Sequence, residues 1–381
     1  MEQQYTYIDS QAALEELCAT LAQSPLLAID TEFVRTRTLF PKLGLLQVAN
    51  EHITACIDPV GIEDLSAFWR LIGDANIRKV LHACSEDLEV FLTSGQVQAK
   101  NLVDSQIMMA FLGHGISLGY AATVKHFLDI ELDKSESRTD WLKRPLSQKQ
   151  IAYAANDVYY LFKLYPMLAQ QINDKGYMAC VVEESQALVD KKSQAVKPEQ
   201  LYADVKLSWK LSSPGLNRLK HLAAWRYQQA VKRDLPISFV AKDPTLFALA
   251  QTDPKSISSM LNIEGCDVLD VRHKGKAMLH VLKQARSDDP SIYPARIQRL
   301  DTTAGYKQIF KQLKNFLSQQ AQAHQVPIEV LASKKQINHL LKWQFNLNNT
   351  RKLDERVDLM SGWRNDLIGE KLSNFIANNY Q

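Results

Sequence analysis

Two acidic residues, Asp30 and Glu32, stand two positions apart at the end of an apolar stretch that begins at Leu26. The stretch LLAID is typical of a buried strand, and side chains at positions i and i+2 of a strand point to one face of the sheet. Carboxylates held side by side repel each other, and a divalent cation with oxygen ligands would neutralise them. A lone D-x-E pair is more often a solvated strand end, so the metal-site interpretation depends on further acids.

Three more residues have suitable positions for such a site. Asp87 follows a predicted strand at residues 79–82 and stands at the start of a predicted helix, where a carboxylate usually does no more than cap. Tyr153 and Asp157 are four residues apart on another predicted helix and therefore share one face. Each of these signals is weak alone.

The elements that must position these residues follow from the periodicity of the first 190 residues. The order is βαβββαβαβ followed by helices, which implies a mixed α/β sheet with helices on its faces. Strands are predicted at residues 5–8, 26–30, 43–49, 52–57, 79–82 and 102–103, and helices at 11–23, 65–72 and 85–92. The pair Asn50-Glu51 predicts an antiparallel turn. The segment S-Q-K-Q at Ser147 is a capping box that begins the helix of Tyr153 and Asp157.

Three segments together resemble the motifs of the DEDD exonuclease superfamily, in the variant with tyrosine in the third motif. They are DTEF from Asp30, LHACSEDLEVF from Leu81 and YAANDVYYL from Tyr153. Two longer segments, LFPKLGLLQVA from Leu39 and LDKSESRTDWLKRPLSQKQIAYAANDVYYL from Leu132, are similar to the bacterial ribonuclease D family. The similarity is dense over residues 26–165 and looser to the C-terminus.

This resemblance implies a ribonuclease H-like exonuclease domain that hydrolyses RNA from the 3′ end and releases nucleoside 5′-monophosphates. It implies metal-binding roles for Asp30, Glu32, Asp87 and Asp157. Four carboxylates can hold two Mg²⁺ or Mn²⁺ ions roughly 3.5–4 Å apart, the spacing used for in-line phosphoryl displacement. Tyr153 would hold or deprotonate the attacking water, and an ordinary tyrosine pKa near 10 favours orientation over proton abstraction. The implied substrate is RNA with a single-stranded 3′ end, such as a transfer RNA precursor.

From about residue 205 helical spacing dominates and an internal repeat appears. At an offset of 91 the matched pairs are Leu219/Phe310, Leu222/Leu313, Trp225/Phe316, Leu235/Val326, Pro236/Pro327, Ile237/Ile328, Val240/Leu331, Leu246/Ile337 and Leu249/Leu340. Beyond them the offset changes, and Gly265 is best matched to Gly362. Asp243-Pro244 and Asp253-Pro254 each predict a helix start.

Two related helical domains therefore follow the first half. They resemble the HRDC domains, the helicase-and-RNase-D C-terminal domains, that ribonuclease D contains in duplicate. The predicted division is an exonuclease domain at 1–190, a linker at 191–208, a first HRDC domain at 209–290 and a second at 291–381.

Charge divides the chain as well. The 381 residues have a net charge of +3, but residues 1–190 contain 15 Lys/Arg and 25 Asp/Glu, giving −10, and the remaining 30 and 17 give +13. Chance drift of net charge between domains could produce this difference, yet the charge asymmetry favours a polyanionic partner. Arg272, Lys274 and Lys276 are the densest basic run in the first repeat, and we expect them to contact phosphates.

Four residues near the motifs are weaker candidates for substrate contact. Phe33 could stack on a terminal base, although a strand phenylalanine is more often in the core. Gln47 could touch a sugar or phosphate, or equally lie on the surface of an edge strand. His82 is more often a satisfied buried histidine than a ligand. Arg138 lies in a loop where it could meet phosphate or simply be solvated.

Several classes of protein are disfavoured. Five scattered cysteines without a C-x-x-C pair argue against a disulfide framework or a thiolate zinc site. A signal peptide and an apolar run of about 18–20 residues are both missing, which predicts a cytoplasmic protein without membrane association. Gly113, Gly115 and Gly119 lack dinucleotide-loop spacing, so no nucleotide cofactor is expected, and no obligate protein partner is evident.

Two alternative functions stay open at this stage. A DNA 3′→5′ exonuclease would use the same acids, because nothing in the sequence identifies a contact to a 2′-hydroxyl. A non-catalytic RNA-binding protein with vestigial acids is disfavoured because all five expected positions are occupied.

Overall fold

A mixed sheet with surrounding helices forms the first part of the chain, and the second part is built from helices. The computed structural model describes residues 4–353 and 357–379. Residues 1–3, 354–356 and 380–381, which fall in the predicted exonuclease and second HRDC domains, lie outside the described residues. The predicted class, an α/β domain followed by all-α domains, is confirmed.

Six strands form one sheet in the order β1-β4-β3-β2-β5-β6. They are β1 (Thr6–Ile8), β2 (Leu26–Val34), β3 (Lys42–Ala49), β4 (Thr54–Ile57), β5 (Arg78–Leu81) and β6 (Leu102–Asp104). Strand β3 runs antiparallel to β2 and β4, whereas β1, β5 and β6 pair in parallel with their neighbours. The predicted turn is present, because Asn50 Oδ1 accepts hydrogen bonds from the N–H groups of His52 and Ile53.

Seven helices accompany this sheet in the described chain. They are α1 (Gln11–Leu21), α2 (Ser66–Gly73), α3 (Asp87–Ser94), α4 (Ser105–Phe111), α5 (Tyr120–Leu128), α6 (Gln148–Asp174) and α7 (Met178–Ser193). Helix α6 begins at the predicted capping box, in which Ser147 and Gln150 exchange side-chain-to-backbone hydrogen bonds. Its buried stripe includes Ile151, Ala154 and Val158, and packs across β2, β3 and β4.

The loop before α6 is anchored to the sheet. Arg144 donates two hydrogen bonds of 2.6 Å to Asp58, and its guanidinium also reaches the backbone carbonyl of Gly44. Trp141 is fully buried, and a Cβ at position 44 would lie only 2.7 Å from its Cβ, so glycine is required there for this close approach. These contacts fix where α6 crosses the sheet.

Two sets of helices follow the half of the chain that contains the sheet. The first consists of α8 (Ser213–Arg233), α9 (Ile237–Val240), α10 (Asp243–Thr252), α11 (Ile257–Leu261) and α12 (Val268–Arg286), and the second of α13 (Tyr306–Ala323), α14 (Ile328–Leu331), α15 (Lys334–Gln344) and α16 (Gly362–Asn379). Helices α9 and α14 start 91 residues apart, as do α10 and α15, in agreement with the repeat. Short 3₁₀ segments connect them.

One detail of the helical half differs from the prediction, while the match of Gly265 to Gly362 stays a prediction. Gly265 precedes α12, and Gly362 is the first residue of α16. Asp243 is the first residue of α10. Asp253 does not begin a helix: it ends α10 in the left-handed conformation, with φ of 51°. An aspartate before proline can cap either end of a helix, because Asp tolerates that conformation.

The segment predicted as a linker is partly packed. Helix α7 extends to Ser193, and a 3₁₀ helix at Pro198–Asp204 packs on α8. Val205 lies in the core of the first helical domain.

The two helical domains contact the sheet domain differently. The second shares one continuous hydrophobic cluster with α4, α6 and α7. The first contacts the sheet domain through Asp234, whose carboxylate accepts hydrogen bonds of 3.0 Å from the N–H groups of Leu39 and Phe40. None of the described helices combines the length and apolarity needed to span a bilayer.

Candidate active site

Three carboxylates meet at the centre of the sheet. Asp30 and Glu32 project from the same face of β2, and Asp157 reaches them from α6, which crosses above that face. One carboxylate oxygen from each residue lies within 4.8 Å of the others. The strand period and the helix position together produce a compact set of oxygen ligands.

Asp87 lies beside this cluster with a different environment. It is the first residue of α3, is 6% exposed, and accepts a 2.5 Å hydrogen bond at Oδ1 from the hydroxyl of Thr31. Its charge contributes to the raised pKa of both Asp30 and Glu32. The four acids are therefore close enough for their charges to affect one another. Asp30, Glu32 and Asp157 form the compact cluster, and Asp87 lies next to it.

Burial and mutual repulsion disfavour the charged form of these acids. Burial raises the pKa of Asp30 well above its usual range, and the charges of Asp87, Asp157 and Glu32 raise it further. Burial also raises the pKa of Asp157, partly offset by the Tyr153 hydroxyl, and the pKa of Asp87, partly offset by Thr31.

The donor set fits a hard divalent cation. Each residue of the trio Asp30, Glu32 and Asp157 offers carboxylate oxygen, the ligand type preferred by Mg²⁺ and Mn²⁺. A cation among these acids would reverse the repulsion that raises their pKa values. The residues present therefore fit the divalent metal that the resemblance of the sequence motifs implies.

Tyr153 lies one helical turn before Asp157, on the same side of α6. Its ring centroid is 6.1 Å from that of the buried Trp141, which supports one side of the ring. Burial raises the pKa of Tyr153 far above its usual value, and the charges of Asp157, Glu32 and Asp30 add to this effect. The hydroxyl therefore keeps its proton at neutral pH and can orient a neighbouring group by hydrogen bonding.

A cavity of about 160 Å³ opens above the acids. Its lining residues are Asp30, Glu32, His82, Tyr120, Tyr153, Asp157 and Leu161. Tyr120, whose hydroxyl donates to the carbonyl of Asn156, was not anticipated from the sequence. Tyr120 is the first residue of α5 and is far from the motifs in the sequence, so no spacing pattern connects it to them.

His82 forms part of the cavity wall. Its Nδ1 lies 2.9 Å from Ser105 Oγ, and its Nε2 lies 3.0 Å from the carbonyl oxygen of Leu118. Burial lowers its pKa. Both ring nitrogens are engaged, as expected for a satisfied buried histidine, so a substrate contact would come from the ring surface.

The other weak candidates have diverse environments. Phe33 is half-buried, with the Arg35 guanidinium 5.8 Å from its ring centroid. Gln47 is fully buried on the internal strand β3, so the edge-strand surface interpretation is wrong, and substrate cannot reach it without rearrangement. It lies opposite Asp30 in the strand register, and its amide atoms have no hydrogen-bond partner in the part of the chain that the structure describes. Arg138 is exposed in the loop before α6.

The basic run on α12 divides into two kinds of residue. Arg272 and Lys276 are exposed one turn apart. Lys274 is half-buried, where its ammonium contacts Asp270 at 3.2 Å and donates to the carbonyl of Phe239 at 2.7 Å. These contacts favour a structural role for Lys274, so we retain Arg272 and Lys276 as candidate phosphate contacts.

Comparison with known proteins agrees with this architecture. Residues 5–173 match the sequence model of the 3′-5′ exonuclease family, residues 215–282 match the HRDC domain, and residues 304–372 match the ribonuclease D C-terminal HRDC domain. The chain is 41% identical over 369 residues to the ribonuclease D of Shewanella sp. (strain ANA-3), covering 97% of this chain and 93% of that protein. This chain belongs to the ribonuclease D family.

The similarity to a solved structure of this family extends over the whole chain. The crystal structure of Escherichia coli RNase D, described as an exoribonuclease involved in structured RNA processing, superposes with a TM-score of 0.94 at 36% identity and covers 100% of both chains. The curated Escherichia coli (strain K12) ribonuclease D is 37% identical over 372 residues, covering 98% of each chain. As a member of the ribonuclease D family, this chain is a 3′→5′ exoribonuclease with HRDC domains, and its substrate is RNA.

Proposed function

We propose that this ribonuclease D family member removes nucleoside 5′-monophosphates one at a time from single-stranded 3′ ends of RNA by a two-metal-ion mechanism. The observation that supports the proposal is the convergence of Asp30, Glu32 and Asp157 within 4.8 Å, with Asp87 alongside. Mg²⁺ or Mn²⁺ bound there would supply the positive charge that activates water and stabilises the leaving oxygen.

The residues of the chain have separate tasks in this proposal. Asp30, Glu32 and Asp157 would hold one ion, and Asp30 with Asp87 a second. Tyr153, which stays protonated, would orient the attacking water, because its raised pKa makes it a poor general base. The cavity bounded by His82 and Tyr120 would receive the terminal nucleotide.

The proposed division of labour follows the predicted domains. Residues 1–190 would hydrolyse the RNA, and residues 191–208 would link this domain to the helical half. Residues 209–290 would form the first HRDC domain and residues 291–381 the second. The exposed Arg272 and Lys276 of the first HRDC domain would contact phosphates of structured RNA. The shared hydrophobic core supports a mainly structural role for the second. Because Escherichia coli RNase D is described as acting in structured RNA processing, we propose 3′ trimming of transfer RNA precursors as the cellular task.

Matched substrates test the proposal directly. Labelled RNA and DNA of one sequence, each with a single-stranded 3′ tail, are incubated with the full chain, with and without Mg²⁺. We expect stepwise shortening of RNA, release of 5′-monophosphates, and reversible loss of hydrolysis in EDTA. Equal cutting of DNA would favour the alternative DNA exonuclease. Cutting that persists in excess EDTA would contradict the metal mechanism, and binding without cutting would indicate a non-catalytic RNA-binding protein.

A precursor series addresses the cellular task. Transfer RNA precursors with 3′ extensions are compared with an unstructured RNA of equal tail length, using wild type and a double variant, Arg272→Gln with Lys276→Gln. We expect the variant to lose affinity for the structured substrate and to flatten the salt dependence by about 0.7–0.9 in slope per lost phosphate contact. Identical slopes would show that these two residues do not bind the RNA.

A further inference from the structure

Among the described residues, no strand pairs with the edge of β2 next to α3 at the positions of Asp30 and Glu32. Strand β2 pairs with β5 from Leu26 to Ala28, and β5 ends at Leu81, while β2 continues to Val34. The start of α3 approaches this part of β2 instead of another strand. The position of α3 therefore depends on side-chain contacts.

Two residues of β2 and the turn after it hold the start of α3. Thr31 donates a 2.5 Å hydrogen bond to Asp87 Oδ1, and both residues are only 6% exposed. Arg35 contacts Glu86 at 2.7 Å and Glu89 at 2.9 Å. Arg35 offsets the acids that flank Asp87, whereas Thr31 contacts the Asp87 carboxylate itself.

Strand alternation explains why the middle residue of the D-x-E motif reaches Asp87. Asp30 and Glu32 project to the face that α6 covers, so Thr31 projects to the other. A hydroxyl that donates to a carboxylate favours the ionised carboxylate and fixes its orientation. Backbone N–H groups of Thr31 and Asp87 also donate to this carboxylate, so its orientation is set from β2 and from the start of α3, and its remaining lone pairs would ligate the cation.

We propose that Thr31 is a positioning residue for Asp87, whose hydroxyl holds the carboxylate in the orientation that binds the second divalent cation. The inference rests on the two-metal function proposed above and extends it to a residue that does not itself contact metal or RNA. The D-x-E strand then contributes to both metal positions: Asp30 and Glu32 directly, and Thr31 through Asp87.

Metal titration of the full chain tests this role without relying on activity. Mn²⁺ binding is measured by calorimetry, with and without a fixed concentration of AMP, for wild type, Thr31→Val and Thr31→Ser. Loss of a metal ligand's hydrogen-bond partner typically costs 10- to 100-fold in affinity, so we expect T31V to weaken the second Mn²⁺ by about 10-fold or more and to leave the first within about 3-fold. T31S keeps the hydroxyl and should remain within about 3-fold of wild type for both ions.

A matched control separates this effect from general destabilisation. Thr245 is a fully buried threonine of the first helical domain whose hydroxyl contacts Asp270 at 3.3 Å. Thr245→Val makes the same chemical change far from the acids, so it should leave both Mn²⁺ constants unchanged. If T31V does not fold, Thr31→Ala is compared with T31S, because both lack the methyl group and differ only in the hydroxyl.

The outcomes are distinguishable. Wild-type constants for both ions in T31V, or equal constants in T31A and T31S, would overturn the role of Thr31 and leave the proposed function intact. Fewer than two bound ions in wild type would refute the two-metal function, and the inference with it, before any variant is compared.

Discussion

The ring centroid of Phe111 lies 5.4 Å from that of Trp363. Phe111 ends α4 of the catalytic domain, and Trp363 is the second residue of α16 in the second helical domain. The Trp363 indole also donates to Glu184 of α7 at 2.7 Å. This contact lies within a hydrophobic cluster that contains both domains, so we expect them to unfold together.

Trp363→Ala should strongly destabilise this shared core. Trp363 is 6% exposed, and truncation of a buried tryptophan typically costs about 3–5 kcal/mol. We expect the urea midpoint to fall and the unfolding transitions of the catalytic and second helical domains to separate. Trp209→Ala is the control, because Trp209 is 38% exposed and its ring packs against Arg299 at 4.0 Å. Comparable losses in both variants would argue against a shared core.

Asp157→Asn should raise the stability of the metal-free protein and lower its activity. The substitution removes one buried negative charge from the repelling acids, so the metal-free protein should gain about 1 kcal/mol, roughly 1–2 °C in Tm for a chain of 381 residues. Hydrolysis of tailed RNA should fall to less than a tenth of the wild-type rate, because a metal ligand is lost. Thermal melting in EDTA and a gel-based rate assay measure the two effects. A variant that is both active and unstabilised would contradict the assignment.

Stabilisation by Mg²⁺ should increase with pH. The pKa values of Asp30, Glu32, Asp87 and Asp157 are raised, so between the ordinary acid range and these higher values the folded state binds more protons than the unfolded state. Metal-free stability therefore falls as pH rises through that window. Since bound metal displaces these protons, the Mg²⁺-induced rise in Tm should be larger at pH 8 than at pH 5.5. An increment independent of pH would show that these acids do not bind the ion.

Tyr153→Phe keeps the ring against Trp141 and removes only the hydroxyl. We expect turnover to fall by about 10²-fold, with little change in RNA affinity or Tm. Tyr159→Phe is the matched control on the same helix: Tyr159 contacts Lys163 and does not line the cavity. Single-turnover rates with saturating enzyme separate chemistry from binding. Equal rates for Y153F and wild type would assign Tyr153 to packing alone.

Asp234→Ala should release the first helical domain from the loop after β2. The Leu39 and Phe40 amides donate to Asp234, so their hydrogen exchange should accelerate by roughly 10-fold or more. Asp234→Asn retains an acceptor oxygen and tolerates the left-handed φ of 49°, so it should preserve protection. Unchanged exchange in D234A would mean that the two domains are held by other contacts.

Local signals in the sequence determined much of the fold. Strand alternation placed Asp30 and Glu32 on one face, helical spacing placed Tyr153 and Asp157 on another element, and the capping box at Ser147 fixed where that helix begins. The repeat at an offset of 91 predicted paired helical domains. The first three features depend on residues that are close in the sequence, and the last depends on an internal repeat. Local patterns and repeats can both be recognised in the linear sequence.

Contacts between distant segments were decided only by the tertiary structure. Thr31 meets Asp87, 56 positions away, because β5 ends early and leaves one edge of β2 to α3. Tyr120 enters the cavity wall because α5 packs on α6, and Gln47 lies inside the sheet because of strand order; neither follows from local sequence. The sequence by itself identified Asp30, Glu32 and Asp157 as acids that could form one cluster. Only the packing of α6 and α3 on the sheet decided which acids meet, since carboxylate distances depend on how separate elements are oriented in space.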